Sequence, residues 1–228
     1  MSEHLTQRLR AVDARIAEAA RDAGRDPASI TRIVVTKFHP AALVRELYAL
    51  GVREVGENRQ QEFAAKAAEL DDLPELRWHF IGQAQTNKAA AIRRQAAAVH
   101  SVDRERLADA LDRAGEGLPV LDVLLQVNLT DDPGRGGVSA AELTALATHT
   151  AGLTSLRVRG LMAVAPLDEE PARAFARVAE LATRLRTVVP DADWLSMGMT
   201  GDFREAIAAG ATHLRIGSAI TGPRPEQG

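Results

Sequence analysis

Lys37 closes an apolar run, Ile33-Val34-Val35-Thr36, so a strand read from those residues delivers one amine at its C-terminal end. Such an amine either snorkels into water as an ordinary surface charge or acts as a nucleophile toward an aldehyde in a partly desolvated pocket. Of the 28 basic residues only Lys37, Lys66 and Lys88 are lysine. A chain that uses arginine almost everywhere therefore keeps lysine here.

Two later segments carry anion-type chemistry. Leu195-Ser196-Met197-Gly198-Met199-Thr200-Gly201-Asp202 sets small and hydroxyl residues before a helix, with Asp202 expected as its cap and Glu205 completing a capping box. Arg215-Ile216-Gly217-Ser218-Ala219-Ile220 runs from a strand through a glycine turn into a short helix. Backbone N–H groups at such turns, with the hydroxyls of Ser196, Thr200 and Ser218, make an anion site. Tight turns and caps use the same residues, but here two occur in succession. Arg215 is either a structural cation or a guanidinium aimed at an acceptor ring nitrogen, which it would keep unprotonated. His79, inside Trp78-His79-Phe80-Ile81-Gly82, reads equally as a hydrogen-bonded core histidine or as a site residue.

Other chemistries are excluded. With no cysteine there is no disulfide, thiolate metal site or cysteine nucleophile. His4, His39, His100, His149 and His213 lack metal-ligand spacing, so no metal is expected. There is no Gly-x-Ser-x-Gly elbow, and Gly134-Arg135-Gly136-Gly137 is neither a Walker loop nor a dinucleotide turn. A net charge of −3 supplies no broad basic field for nucleic acid. The charged N-terminus is not a signal peptide and no run approaches a membrane span, so a cytoplasmic protein is expected.

The elements that position these residues follow from periodicity. Leu5 to Ala23 has helical spacing and stops at Gly24. Short apolar runs then recur at 30–36, 53–55, 78–81, 99–102, 120–127, 156–161, 195–197 and 214–216. Alanine-rich amphipathic stretches lie between them, near 41–50, 58–70, 86–97, 104–114, 140–150, 169–188 and 203–209. Eight strands without clean alternation, separated by seven helices, predict an α/β fold, a single (β/α)8 TIM barrel with an additional N-terminal helix. A doubly wound open sheet is the alternative. One domain over 1–228 is expected, with a single loose loop at 131–137 before a capping box, Ser139-x-x-Glu142. In a barrel the site lies at the C-terminal strand ends, and the loops after strands seven and eight frequently hold phosphate.

The chain resembles the pyridoxal phosphate homeostasis proteins, relatives of the N-terminal barrel of alanine racemase, along nearly its whole length. The resemblance rests on Val34-Val35-Thr36-Lys37, Gly56-Glu57-Asn58, Trp78-His79-Phe80-Ile81-Gly82 with Gln85-Thr86-Asn87-Lys88, and Gln126-Val127-Asn128. It continues through Arg159-Gly160-Leu161-Met162, Leu195 to Thr200 and Arg215 to Ile220. It implies a fold-type III barrel in which Lys37 carries pyridoxal 5′-phosphate as a Schiff base and Arg215 faces the pyridine nitrogen. Ser196, Gly198, Met199, Gly217 and Ser218 would surround the phosphate, with Thr200, Asn58 and His79 also among the cofactor-binding residues. It departs from the family pattern at Phe38-His39, Gln83-Ala84 and Asp132 to Gly137.

The family implies a cofactor carrier that buffers or delivers pyridoxal phosphate, to apo-enzymes among other partners, and so influences amino-acid and keto-acid balance. A low-activity racemase or lyase is the alternative, and a phosphometabolite-binding barrel a third. Two-base racemisation needs a tyrosine from a second domain. The one tyrosine, Tyr48, lies in the first barrel helix, and no residues remain for such a domain. No residue is therefore assigned a catalytic role, and a monomer is expected.

Overall fold

Strands covered on both faces need no alternation of polar and apolar residues. The computed structural model, which describes residues 3–224, builds eight of them. They are β1 (Thr31–Val35), β2 (Glu54–Glu57), β3 (Arg77–Phe80), β4 (Ala98–Val102), β5 (Leu121–Gln126), β6 (Leu156–Met162), β7 (Trp194–Ser196) and β8 (His213–Ile216). All pair in parallel in chain order, and β8 returns to β1 to close the barrel. The expected (β/α)8 architecture is present, and the open sheet is not.

The helices are α1 (Glu3–Asp22), α2 (Ala41–Ala49), α3 (Gln60–Glu69), α4 (Ala89–Arg93), α5 (Glu105–Arg113), α6 (Leu143–Ala151), α7 (Pro171–Arg186), α8 (Phe203–Ala208) and α9 (Ser218–Thr221). The additional helix α1 buries Leu5, Leu9, Val12, Ile16 and Ala20 and packs against α8 and α9. It ends at Gly24, whose φ of 66° suits glycine. There the N–H of Gly24 donates to the Arg21 carbonyl and that of Arg25 to the Ala20 carbonyl, a Schellman pair.

Three local expectations shift. β2 runs two residues beyond 53–55, through Gly56 and Glu57, because parallel pairing with β3 overrides the weak strand preference of Gly and Glu. The stretch 86–97 is a 3-10 turn, Thr86–Lys88, followed by the short α4. Asp202 is the N-cap of α8, but its carboxylate accepts from the Met199 N–H (2.6 Å) rather than closing a box with Glu205. The Ser139–Glu142 pair does form (2.6 Å), in the turn before α6.

The apolar core lies between barrel and helices. Val34, Val55, Phe80, Val99, Val123, Leu161 and Leu214 point outward into it. Phe63 of α3 is fully buried, edge-on to Trp78 at 5.9 Å and Phe80 at 5.7 Å. The barrel interior is different. Beside Ile33, Val35, Leu124 and Met162 it holds buried His79, His100, Ser196, His213 and Arg215. These polar residues of β3, β4, β7 and β8 replace the apolar layers usual in such barrels.

Truncating Phe63 removes an aromatic cluster between helix and sheet. Phe63→Ala is expected to lower the unfolding free energy by about 3–5 kcal/mol, read from the urea midpoint at unchanged slope.

Candidate functional site

β7, β8, β1 and β2 are consecutive around the barrel, so the residues at their C-terminal ends form one arc of the mouth. That arc carries Met199 and Thr200, then Gly217 and Ser218, then Lys37, then Asn58. Thr36 bonds toward α3, on the helix side, and the strand alternation turns Lys37 the other way. Lys37 is exposed, and its one described contact is the ring of Phe38, 5.6 Å away. The guanidiniums of Arg59 and Arg224 approach the same ring at 4.8 and 4.1 Å.

Helix α3 fixes the backbone on both sides of Lys37. Lys66 Nζ donates to the Thr36 carbonyl (2.8 Å) and to Glu57 Oε1 (2.6 Å). The Thr36 hydroxyl donates to the same Oε1 (2.7 Å), and the Phe38 N–H donates to Glu62 Oε2 (2.9 Å). The peptide groups before and after Lys37 are thus both held, through Lys66 and Glu62 one turn apart. Phe38 is left with φ of 69°. A bulky residue held there stores about 1–3 kcal/mol of backbone strain. Glu57 is wholly buried, and burial raises its carboxyl above the usual range despite the bonds from Lys66 and Thr36.

Below the mouth, one hydrogen-bonded chain crosses the barrel interior. Arg215 Nη1 donates to the Ser196 hydroxyl (2.8 Å) and carbonyl (2.7 Å), and Nη2 donates to the Ala163 carbonyl (2.8 Å). Ser196 Oγ lies 2.8 Å from His100 Nδ1. His100 Nε2 lies 2.8 Å from His79 Nδ1, and His79 Nε2 lies 2.6 Å from Glu54 Oε2. Arginine can only donate and a carboxylate only accept. With both imidazoles neutral, one proton order satisfies every contact: Ser196 donates to His100, His100 to His79, and His79 to Glu54.

Burial alone raises the Glu54 carboxyl, but the hydrogen bond and charge of His79, followed by the charge of nearby Arg77, bring it below its ordinary value. His100, completely buried and facing His79, His213 and Arg215, is held well below the histidine range. Burial, with His79, Arg77 and Arg159 adding to it, pushes His213 down to about 3. Arg215 is lowered by burial to about 10, against the opposing charge of Asp202, and is still a cation at neutral pH.

The expected site residues therefore fall into groups. Lys37, Asn58, Gly217 and Ser218 are at the mouth, and Asn58 Oδ1 is buried without a partner. Gly82 closes up beneath, where a Cβ would fall 1.9 Å from the Asn58 carbonyl oxygen. Met199 is exposed, but its N–H is taken by Asp202. Gly198 (φ 92°) packs against α8, since a Cβ would meet Ala206 at 2.6 Å. Ser196 and His79 are buried with their polar atoms engaged in the chain. Sequence reasoning assigned no role to Lys66, Glu62, Glu54 or His100. A lysine on the buried face of α3, three residues after Phe63, was the available signal for Lys66.

Residues 8–225 match the family model described as alanine racemase, N-terminal domain. The barrel with a lysine-bearing mouth thus defines the class. The chain belongs to this family and, within it, to the pyridoxal phosphate homeostasis proteins. It is 46% identical over 224 residues to the pyridoxal phosphate homeostasis protein of Pseudomonas aeruginosa, covering 96% of both chains. It is 39% identical over 226 residues to that of Escherichia coli, covering 96% of this chain and 97% of the other. The structure of PipY of Synechococcus elongatus with PLP bound superposes with a TM-score of 0.81 at 41% identity. That match covers 91% of this chain and all of PipY.

Lys66→Met leaves the Glu57 carboxyl buried without its cation and is expected to cost about 3–5 kcal/mol. The double variant with Glu57→Gln should recover much of that loss in chemical denaturation. The buried histidines set a pH dependence. Unfolded, His100 and His213 bind protons near pH 6.5; folded, they do not until far lower. Stability is therefore full above about pH 6.5 and falls as pH drops toward 3, by at most about 1.4 kcal/mol per pH unit for each histidine. Urea midpoints between pH 7.5 and 4.5 measure this, and a flat profile would contradict it.

Proposed function

We propose that the chain binds pyridoxal 5′-phosphate at the C-terminal mouth, attached through Lys37, and serves as a monomeric, single-domain cytoplasmic carrier that buffers the cofactor or hands it to apo-enzymes. The observation that carries this reading is an accessible lysine amine whose two flanking peptide groups are both clamped, above a buried donor-only Arg215. The PLP-bound state of PipY supports it.

The residues present fit such a group. When bound, it supplies an aldehyde that a lysine amine takes up as a Schiff base, with one water released. Arg215 has N–H groups beyond the three contacts to Ser196 and Ala163, and these would be the donors to a ring nitrogen. The turn at Gly217 and Ser218, with the Thr200 hydroxyl, offers donors for a phosphate, and the unpartnered Asn58 Oδ1 adds an acceptor.

Two features favour carriage over turnover. A guanidinium donating to the ring nitrogen opposes its protonation and weakens the ring as an electron sink. Tyr48 lies under Arg53, whose guanidinium carbon is 3.8 Å from its ring centroid, just ahead of β2 and far from the mouth. Among the described residues no tyrosine faces Lys37. No described helix is long and apolar enough to cross a membrane.

The purified protein mixed with pyridoxal 5′-phosphate should gain a visible absorption band, and borohydride should fix an adduct on Lys37 by mass spectrometry. Lys37→Ala should lose both. An adduct on Lys66 or Lys88 instead would overturn the assignment. Failure of the loaded protein to reactivate any apo-enzyme faster than free cofactor would remove delivery from the reading.

A further inference from the structure

The barrel interior opens a second time, at the N-terminal ends of the strands, away from Lys37. A cavity of about 240 Å3 there is lined by Thr31 of β1, Glu54 of β2, Arg77 of β3, Asp193 just before β7, Trp194 of β7 and His213 of β8, among others. It is smaller than the roughly 300–1,000 Å3 that holds a drug-sized molecule, so its occupant must be small.

The hydrogen-bonding capacity of this cavity is one-sided. His213 is 5% exposed, and its imidazole lies against the Trp194 ring, 4.3 Å between centroids. The Thr212 hydroxyl accepts from the Leu195 N–H (2.8 Å) and lies 3.4 Å from the Leu195 carbonyl oxygen and 2.8 Å from His213 Nδ1. Its single hydrogen cannot serve both of the last two. All three contacts are made only when that hydrogen goes to the carbonyl and His213 donates from Nδ1. His213 Nε2 then carries a lone pair, and no described group donates to it. Burial, with His79, Arg77 and Arg159 adding to it, keeps His213 down at about 3, so the lone pair stays free of a proton at neutral pH. Glu54 commits Oε2 to His79 (2.6 Å), whereas Oε1 has Arg77 Nε at 3.6 Å, beyond hydrogen-bond range. The Asp193 carboxylate makes no described hydrogen bond or ion pair.

We propose that this cavity binds the ammonium group of a small primary amine or amino acid, with Glu54 Oε1, the Asp193 carboxylate and His213 Nε2 accepting its three hydrogens. Among the described residues no three histidine, aspartate or glutamate side chains are grouped to hold a metal ion. A primary ammonium instead carries three N–H donors and no acceptor, which answers a lining of unused acceptors. Charge agrees, because two carboxylates against one guanidinium leave the charged side chains one unit negative, and a cation neutralises them. A free amino acid presents the same ammonium together with a carboxylate, for which the half-exposed Arg77 guanidinium is the partner. The site lies at the opposite end of the barrel from Lys37 and does not depend on what the mouth binds.

Nitrogen-15 NMR of the histidine rings and the Trp194 indole reads the cavity directly. The full-length protein is used free of cofactor, so that no amine reacts with an aldehyde at the mouth. Methylammonium and glycine, added at neutral pH and constant ionic strength, should shift the His213 Nε2 and Trp194 resonances saturably. Tetramethylammonium, of the same charge but without N–H groups, should not. Glu54→Gln and Asp193→Asn should each weaken methylammonium binding about tenfold or more, and Asp193 is an exposed side chain whose exchange leaves the fold intact. Arg77→Met should weaken glycine without weakening methylammonium. Glycine binding that depends on Arg77 makes the ligand an amino acid, and methylammonium binding without glycine makes it a simple amine. The proposal is overturned by a response to tetramethylammonium equal to that of methylammonium, or by no saturable shift with either N–H probe. An Asp193→Asn protein that binds methylammonium as tightly as the wild type overturns it equally.

Discussion

A buried guanidinium and a carboxylate, set at opposite ends of the barrel interior, dictate how the inside of this protein is built. Arg215 can only donate and Glu54 can only accept, so whatever lies between them must pass hydrogen bonds in a single direction. Two histidines and one serine do so, each with its polar side-chain atoms engaged. An unsatisfied group at that depth would cost about 1–3 kcal/mol, so the chain is satisfied throughout or is a liability. The apolar stabilisation comes from outside the barrel, where helices pack on strands.

That separation explains how the mouth can be exact in geometry and still open to solvent. Lys37 itself is exposed, but the strand end that bears it is tied to α3 by Lys66 and Glu62. The choice of lysine at position 66, in a chain otherwise given over to arginine, has a physical reason. A compact ammonium reaches the Thr36 carbonyl and Glu57 Oε1 at 2.8 and 2.6 Å from inside a packed helix–sheet interface. A planar fork would need room for five donors there. Two of the three lysines thus serve one strand end, one presented to the mouth and one holding the backbone beneath it.

Much of this was legible in the sequence. Apolar runs and amphipathic stretches placed all eight strands and the surrounding helices, since parallel strands buried on both faces leave a plain signal. Lys37 and Arg215 stood out because charged residues interrupt such runs only at their ends or inside a polar interior. The chain from Glu54 to Ser196 was hidden for a different reason. His79 and His100 sit on separate strands, 21 residues apart, and nothing along the sequence says that closure of the barrel brings their rings within 2.8 Å. Glu57 and Lys66 were hidden by tertiary override, a glutamate in a strand and a lysine on a buried helix face. The positive φ of Phe38 had no sequence signal, because a bulky aromatic is among the residues least expected in that conformation.

The polar interior also limits how this sequence can drift. In the outer core, Val55 or Leu161 can exchange with another aliphatic residue of similar volume, and the neighbours adjust. Inside the barrel a replacement must conserve volume and also the number and direction of hydrogens. An asparagine at position 100, for instance, would present its donor and acceptor at different distances from Ser196 and His79. Changes at positions 54, 79, 100, 196 and 215 are therefore viable only as matched sets, and the barrel interior should evolve as one unit while the shell around it varies residue by residue.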